Sequence, residues 1–586
     1  MRRYPKLTVL PTSRDMVDVF RGYNHNLRSN DGEFFDMKNM ASDHYPVLSP
    51  RAQRGVYASP DSPQGLIAKD SLCYIDGTYF VMNEYRVNMN LSVAEKDCPK
   101  QLISMGAYVI ILPDKKWINT LDLTEYGDID ASFTTTSDAT FELCNISGDA
   151  YANATVSATE PDSPENLALW IDTSSKPHTL KKWSEKSSMW VAIATTYVKI
   201  TSAGIGKAFA QYDGVKISGI KDEALQDLNS TMVLWECHDD YIVVVGILDE
   251  VTTQTVADGA ITLERKMPEV DFVTESENRL WGCRYGVANN GEVVNEIYAC
   301  KLGDFKNWNC FMGLSTDSYA ASCGSDGQFT GAITHLGYPL FFKETCVHKV
   351  YGNYPSNYQI QTTVCRGVQK GCHNSLAIVN ETLFYKARSG ICSYDGSLPV
   401  EASYALGNEV YSEAVGGSHG NKYYVTMKDA EGVWHLFVYD TAHGFWHKED
   451  NLQADAFCSC RGEMYAIDHS TKKIITILGS GAMDNNPVEW MVETGELGLN
   501  SPDMKYVSRI TLRMSMEIGA ELRIYAQYDL EDEWVLLGTL ESTSLRSFSL
   551  PVRPRRSDHL KLRIEGTGSC RIYSITKTIE QGSEIS

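Results

Sequence analysis

The sequence has no long apolar run, and this absence bounds where the protein can reside. No stretch reaches the ~18 consecutive apolar residues of a membrane span. The opening segment, MRRYPKLTVLPTSRDMVDVF, lacks the apolar core of a secretory signal peptide. We therefore expect a soluble product that is made and assembled in a cytoplasm.

Closely paired cysteines are also missing. The 15 cysteines are scattered along the chain, and their number is odd. The closest groups, CRGVQKGCH, CVH and CSC, do not have the CxxC spacing of a structural zinc site. The pattern predicts buried free thiols and no metal or other cofactor.

The chain lacks the excess of basic residues that nucleic-acid binding requires. It has 53 Lys and Arg against 75 Asp and Glu, a formal net charge of −22. Proteins that hold nucleic acid do so through clustered Lys and Arg on their surface. The composition argues against such binding, but it is compatible with a conduit through which DNA passes without adhering.

Known catalytic motifs are absent as well. We find no P-loop, GxSxG elbow, HExxH or dinucleotide-type GxGxxG. GSDGQF and SYDGSL match sialidase boxes only in part, and the neighbouring carboxylates of Asp239 and Asp240 are typical of a solvated turn. These absences predict a protein that is not an enzyme, and a polysaccharide-cleaving propeller enzyme is the alternative.

What the sequence does contain is strand signals. Short runs of Val, Ile, Tyr, Phe and Thr alternate with Gly, Asn and Asp turns, and long segments with helical periodicity are nearly absent. A turn followed by an aromatic-rich strand recurs, and its centres at Leu340, Phe384, Tyr424 and Tyr465 are 44, 40 and 41 residues apart. This is the length of a propeller blade. We predict an all-β fold with a six- or seven-bladed β-propeller.

Two spacings depart from the blade length. Tyr79 and Tyr108 are only 29 residues apart, which predicts a short blade or one built from both ends of the chain. Tyr108 and Leu280 are 172 apart, which predicts an insertion. We assign residues 1–60 to an N-terminal arm leading into the propeller, 61–131 and 268–480 to its blades, 132–267 to an inserted small β domain, and 486–586 to a C-terminal β-sandwich.

The insertion carries three tryptophans, Trp170, Trp183 and Trp190, on strand-like runs separated by polar turns. One interpretation is that they form the core of a small sheet. The other is an exposed aromatic platform for a glycan or a protein partner.

Two further segments suggest contacts between subunits. In the arm, SDHYPVLSPRAQRG reads as an extended segment, because Pro46 and Pro50 disfavour helix at the residues before them. It joins the propeller to a neighbouring subunit or closes the ring of blades, and its candidate contact residues are Tyr45, Pro46, Leu48, Arg51 and Arg54. In the C-terminal domain, the basic run PVRPRR contributes Arg553, Arg555 and Arg556, which fit a solvated edge or subunit ion pairs.

Several of these phrases resemble those of known proteins. The block GEFFDMKNMASDHYPVLSPRAQRG, with GYPLFFKETCVHKVYGNYPSNYQIQ, SGICSYDGSLPVEAS and the C-terminal segment from PVRPRRSDHLKLRIEG onward, resembles β-propeller structural proteins of phages and prophages of Gram-positive bacteria. These in turn are similar to the podophage tail nozzle, also called tail tubular protein B. The insertion resembles small LWIDTS…LKKW modules of phage tail and fibre proteins.

The resemblance implies a virion protein of the tail. It would form a homo-oligomer, a hexameric ring, which extends the DNA-ejection channel below the portal and adaptor and supports tail or fibre attachment. Genomic DNA would pass through without specific binding. The alternative is a host-surface or glycan-binding tail adhesin that uses the tryptophan-rich insertion.

Overall fold

A computed structural model describes residues 12–93, 100–151, 153–287, 291–483, 487–498, 505–529, 531–552 and 556–581. These residues form two compact units, the first made of residues 1–102, 342–347 and 363–586, and the second of residues 103–341 and 348–362. The described part contains 50 strands, and its helices are four short 3-10 turns at Glu223–Leu228, Pro355–Asn357, His373–Ser375 and Tyr404–Leu406. The predicted all-β class is confirmed.

The chain opens with short strands and then two four-stranded sheets. The opening strands are β1 (Thr12–Val17), β2 (Phe34–Lys38), β3 (Met40–Ala41), β4 (Ser49–Pro50) and β5 (Gly55–Ala58). The first sheet is β6 (Pro63–Ala68), β7 (Leu72–Asp76), β8 (Tyr79–Met82) and β9 (Tyr85–Asn88). The second is β10 (Gln101–Met105), β11 (Tyr108–Leu112), β12 (Lys116–Asn119) and β13 (Tyr126–Asp128).

The insertion follows as three sheets with their own apolar core. Its strands are β14 (Ala131–Thr134), β15 (Ala139–Cys144), β16 (Thr155–Ser157), β17 (Leu169–Asp172), β18 (Thr179–Ser184), β19 (Met189–Ala192), β20 (Tyr197–Thr201), β21 (Gly214–Ser218), β22 (Thr231–Val233), β23 (Glu236–His238), β24 (Tyr241–Val245), β25 (Thr252–Gln254) and β26 (Thr262–Arg265). The sheet orders are β14-β26-β21-β22, β23-β24-β20-β15-β25 and β16-β17-β18-β19. Phe141, Ile200 and Ile217 are among the fully buried residues at the centre of this core.

Five more four-stranded sheets complete the blades. Their strands are β27 (Phe272–Ser276), β28 (Arg279–Val287), β29 (Val293–Ala299), β30 (Tyr319–Ser322), β31 (Gly331–His335), β32 (Tyr338–Lys343), β33 (Cys346–Tyr351), β34 (Gln359–Val364), β35 (Ala377–Val379), β36 (Thr382–Ala387), β37 (Gly390–Tyr394), β38 (Val400–Glu401), β39 (Ala414–His419), β40 (Lys422–Lys428), β41 (Trp434–Asp440), β42 (Phe445–Lys448), β43 (Ala454–Cys460), β44 (Glu463–Asp468) and β45 (Ile474–Thr476). The last sheet has only three of these strands, and β5 from the start of the chain is its fourth.

Seven four-stranded sheets therefore act as blades, and the predicted β-propeller class is confirmed. The 29-residue spacing is explained by a short blade, β6–β9. The blade built from both ends of the chain is instead the last one, in which Ile475 of β45 is paired with Val56 of β5. Such pairing between the first and last strands protects a sheet edge that would otherwise be open.

Tight turns make the blades compact. Three hairpins have two-residue turns with both residues at positive φ: Asn83 and Glu84, Glu277 and Asn278, and Asn380 and Glu381. Positive φ at both positions is the type I′ geometry, whose twist matches that of the flanking strands. Asn tolerates this conformation better than most residues, which explains its place in each turn.

The C-terminal domain is one antiparallel sheet of unusually long strands. They are β46 (Glu489–Thr494), β47 (Lys505–Tyr528), β48 (Val535–Pro551), β49 (Leu560–Thr567) and β50 (Cys570–Gln581), and β1 and β2 join them in the order β1-β50-β47-β49-β46-β2 with β48 on the free side of β47. Ile510, Leu512 and Met514 are buried while the residues between them are more exposed. This period of two indicates a sheet with one apolar face.

Candidate functional site

The three tryptophans of the insertion lie on one face of a small sheet. Trp183 of β18 is directly opposite Trp190 of β19, and Trp170 of β17 is opposite Lys181 of β18. Because side chains alternate between the two faces of a strand, Lys181 and Trp183 share a face. The register therefore places all three indoles on that same face.

The indoles form a continuous row. Trp170 and Trp190 have ring centroids 5.4 Å apart at 65°, and Trp183 and Trp190 are 5.4 Å apart at 64°. Edge-to-face pairs of this kind are favoured by the charge distribution of aromatic rings. Trp170 is buried, whereas Trp183 and Trp190 are half-buried. The inner end of the row, at Trp170, therefore belongs to the core, and the outer end, at Trp183, reaches the surface.

Polar contacts fix the inner end of the row. The indole N–H of Trp170 donates to the carbonyl of Ser157 over 3.0 Å, and the ammonium of Lys181 lies 4.6 Å above its ring. Lys181 also donates to Asp172 over 2.7 Å. The hydrogen bond from Lys181, with two from Ser174, lowers the pKa of Asp172 to about 2. The carboxylate is therefore ionised at neutral pH and holds Lys181 against the indole.

A surface groove of about 600 Å³ crosses the outer end of this sheet. It is lined by Asn166, Leu167, Lys182, Trp183, Ser184, Glu185, Lys186, Val191, Ala192 and Ile193. Lys182 and Val191 are directly opposite each other on neighbouring strands. By strand alternation they lie on the face opposite the indole row, so most of the groove is formed by that second face, and Trp183 borders it.

The groove combines exposed apolar side chains with lysine side chains. Leu167 is 57% exposed and Val191 is 48% exposed. Neither Lys182 nor Lys186 has an acidic side chain within ion-pair distance in the part of the chain that the structure describes. With Glu185 as the one acidic lining residue, the groove is net positive in a strongly acidic protein. This arrangement suits a ligand that carries both an anionic group and an apolar or ring surface.

The sequence identified the three tryptophans but missed Leu167, Lys182, Lys186 and Val191. The segment LKKWSEKSSMWVAI does contain a signal for them. A hairpin turn at Glu185–Ser188 pairs Trp183 with Trp190, and this pairing determines on which face of the sheet each neighbouring residue lies. The sequence alone does not reveal that register, and a shift of one residue would exchange the two faces.

The arm residues predicted to contact another subunit contact their own chain. The ring of Tyr45 lies 4.1 Å from that of His443 and 5.4 Å from that of Phe445. Pro46 accepts a hydrogen bond from the amide of Phe20 through its carbonyl. Leu48 is buried, and its backbone exchanges two hydrogen bonds with Ile572 of β50, at 3.1 and 2.9 Å.

Arg51 and Arg54 form a buried cluster with two carboxylates at the end of β42. Arg54 donates to Asp450 over 2.7 Å and to Glu449 over 2.8 Å, and Arg51 lies 3.3 Å from Asp450. Burial acts to raise the pKa of Asp450, but Arg54 and Arg51 outweigh it and the pKa falls below its usual value. The arm thus ties the last blades to the C-terminal sheet within one chain, and a role between subunits stays a prediction.

The predicted basic run is only partly visible. Arg553 and Arg555 lie outside the described residues, and Arg556 is exposed at the surface.

The described residues contain no cluster of metal-ligating side chains, and most of their thiols are buried. No group of three or more His, Cys, Asp or Glu side chains there is placed to hold a metal ion. No disulfide joins the described cysteines to one another, and most of them are buried. Burial raises the pKa of the Cys73 and Cys300 thiols to about 12, so they are protonated and unreactive at neutral pH. No helix among the described residues is long and apolar enough to cross a membrane.

Comparison with known proteins gave structural similarities only. No family model matches the sequence, and no curated protein matches it. Similar solved structures include an exo-β-1,3-galactanase from Phanerochaete chrysosporium, with 9% identity over 52% of this chain and 94% of that one and a TM-score of 0.21. An arabinoxylan arabinofuranohydrolase of glycoside hydrolase family 43 from Bacillus subtilis has 9% identity over 53% and 95%, with a TM-score of 0.15. The phage phi92 endosialidase has 8% identity over 80% and 69%, with a TM-score of 0.23.

These comparisons contradict the expectation that the chain is not an enzyme, because the similar structures named are glycoside hydrolases and an endosialidase. The expectation was wrong because it rested on missing sequence motifs. A glycosidase needs two carboxyl groups roughly 5 to 10 Å apart, and separate blades can supply them without any fixed spacing in the sequence. At identities below 10% and these TM-scores, the similarities assign no activity or substrate to this chain.

Proposed function

We propose that this protein is a nozzle-like ring subunit of a phage tail. It extends the DNA-ejection channel below the portal and adaptor and supports tail or fibre attachment. The observation that carries the proposal is where the block from Gly32 to Gly55 lies in the fold. This block carries much of the resemblance to phage propeller proteins.

The block builds a joint between propeller and C-terminal sheet. Its β2 pairs with β46 of the sheet, Leu48 bridges to Ile572, and the two arginines bind Glu449 and Asp450 beside a propeller blade. Directly after it, β5 completes the last blade. A segment that rigidly connects the propeller to the C-terminal sheet suits a structural protein that forms the wall of a channel.

The charge of −22 supports the same proposal. A wall of acidic subunits repels phosphate, so DNA is not retained on its passage.

Electron microscopy of the purified protein and of virions tests the proposal. We expect closed rings in solution and the same rings in the tail. A protein that is monomeric at every concentration and absent from particles would overturn it.

A second candidate function is binding of a host surface through the insertion, and the groove beside Trp183 favours it. An anionic surface glycan would meet Lys182 and Lys186 and place its rings against Leu167 and Val191.

Charge reversal tests this second function. Phage carrying Lys182→Glu with Lys186→Glu should adsorb to host cells at least tenfold more slowly than wild type. The matched control is Lys176→Glu with Lys207→Glu, two exposed lysines of the insertion outside the groove. Equal adsorption of both double variants would exclude the groove as the binding site.

A further inference from the structure

In the half where β47 pairs with β50, the C-terminal sheet has two open edges on opposite sides. Where the first half of β47 pairs with β50, the strand order is β1, β50, β47, β48. Glu580 of β50, for example, has Thr12 of β1 on one side and Tyr506 of β47 on the other. Among the described residues, no strand pairs with the outer edge of β1 or of β48.

Open edges of this kind are templates for another strand. They present unpaired backbone N–H and C=O groups, and proteins usually protect them with Lys, Pro or short length. β48 has 17 residues, among which Glu541 and Arg546 are the only charges and Pro551 is the last position. β1 has one charge of each sign, Arg14 and Asp15. Both edges are therefore neutral in a chain of net charge −22, and two copies can bring them together without local charge repulsion.

The directions of the two edge strands are complementary. β48 and β50 are each antiparallel to β47, and β1 is antiparallel to β50. β1 is therefore antiparallel to β48. A second copy in the same orientation brings its β1 against β48 and continues the antiparallel alternation without a break.

The exposed side chains along these edges are also partly apolar. Leu545 is 49% exposed on β48, and Met16 is 59% exposed on β1. Pairing of the edges would bring both beside side chains of the added strand and cover part of their apolar surface, which adds to the backbone hydrogen bonds of strand addition.

We infer that copies of this chain join head to tail through their C-terminal sheets, with β48 of one copy paired to β1 of the next. The contact uses two different surfaces, so each added copy leaves one open edge of each kind, and growth stops only when a ring closes. The inference rests on the proposed ring function and specifies the surface that builds the ring.

Variants at the two edges test it. Leu545→Asp with Ser547→Asp changes β48, and Ser13→Asp with Met16→Asp changes β1. The matched control is Leu398→Asp with Val410→Asp, two propeller residues that are 58% and 70% exposed and lie outside both edge strands. Oligomer size is measured by sedimentation velocity and mass photometry, and thermal unfolding reports whether each variant is folded.

We expect wild type and the control to form rings and each edge variant alone to be monomeric. Mixing the two edge variants should give dimers and nothing larger, because the mixture retains one intact β48 and one intact β1 per pair. Pairing of β48 with a second β48 predicts instead that the β1 variant still dimerises alone, which would overturn the head-to-tail contact.

The remaining outcomes separate the inference from the function on which it rests. If wild type and both edge variants form the same rings, the edge contact is wrong and the ring function stands. If wild type stays monomeric at all concentrations, the ring function fails, and the inference fails with it.

Discussion

At the scale of single residues, buried His447 makes the stability of the folded protein depend on pH. The side chain is fully enclosed, and burial, with a smaller effect of Lys422, lowers its pKa from 6.5 to about 4. Between these values the unfolded chain binds a proton that the folded chain does not. Stability therefore rises with pH from about 4 to 6.5 and is then level.

The contribution of His447 over that window is up to about 3 kcal/mol, since one pKa unit corresponds to about 1.4 kcal/mol. His447→Gln should flatten the pH dependence of the unfolding free energy, measured by urea denaturation from pH 4 to 7. Burial likewise lowers the pKa of His373 to about 4, so part of the slope persists until both are replaced. His238→Gln is the control, because that side chain is 53% exposed.

Burial also determines how much unfolding free energy is lost when Arg54 is replaced. Its side chain is 13% exposed and contacts Glu449 and Asp450, which are 5% and 24% exposed. Removing one partner of a buried ion pair leaves uncompensated charge, so Arg54→Ala should lower the unfolding free energy by about 3 to 5 kcal/mol. The exposed pair of Arg366 and Glu401, 52% and 40% exposed, provides the comparison. Arg366→Ala should cost about 0 to 1 kcal/mol, and equal losses would contradict the distinction.

At the scale of elements, the closure of the last blade depends on Gly55 at the start of β5. A Cβ atom there would lie 2.3 Å from the carbonyl oxygen of Ser480 and 2.7 Å from the backbone of Gly481. Gly55→Ala should therefore displace β5 from β45 and cost about 1 to 3 kcal/mol. Limited proteolysis should cleave this variant near the arm. Gly324→Ala, where a Cβ meets nothing within 4 Å, should behave as wild type.

This closure also shows how far the sequence predicts the fold. Strand alternation and the spacings from Leu340 to Tyr465 predicted the blades, because both depend on local contacts. The pairing of β5 with β45 joins residues more than 400 positions apart, and no local pattern encodes which strand fills that edge. The groove was missed for a related reason: Lys182 and Val191 come together through hairpin register, which depends on the turn geometry and the hydrophobic pattern of both strands together.

At the scale of the whole molecule, the net charge of −22 gives assembly and surface binding opposite responses to salt. Acidic copies repel one another at long range as they approach, whereas the two edge strands that we infer to meet are neutral. Raising the ionic strength from 0.01 to 0.15 M shortens the screening length from about 30 to 8 Å. Ring formation should therefore strengthen, by roughly tenfold in association constant, as this repulsion is screened.

Binding of an anionic glycan by Lys182 and Lys186 should weaken over the same range, because the same screening removes an attraction. Sedimentation velocity for assembly and adsorption of assembled virions for binding measure the two responses separately. The control for adsorption is the Lys182→Glu and Lys186→Glu variant, whose residual binding should strengthen with salt, because the reversed charges repel the anionic glycan and salt screens that repulsion. Assembly that weakens with salt would indicate that the copies associate through attraction between charges. That result would contradict the neutral edge contact. If adsorption strengthened with salt, the lysines of the groove would not be its binding groups.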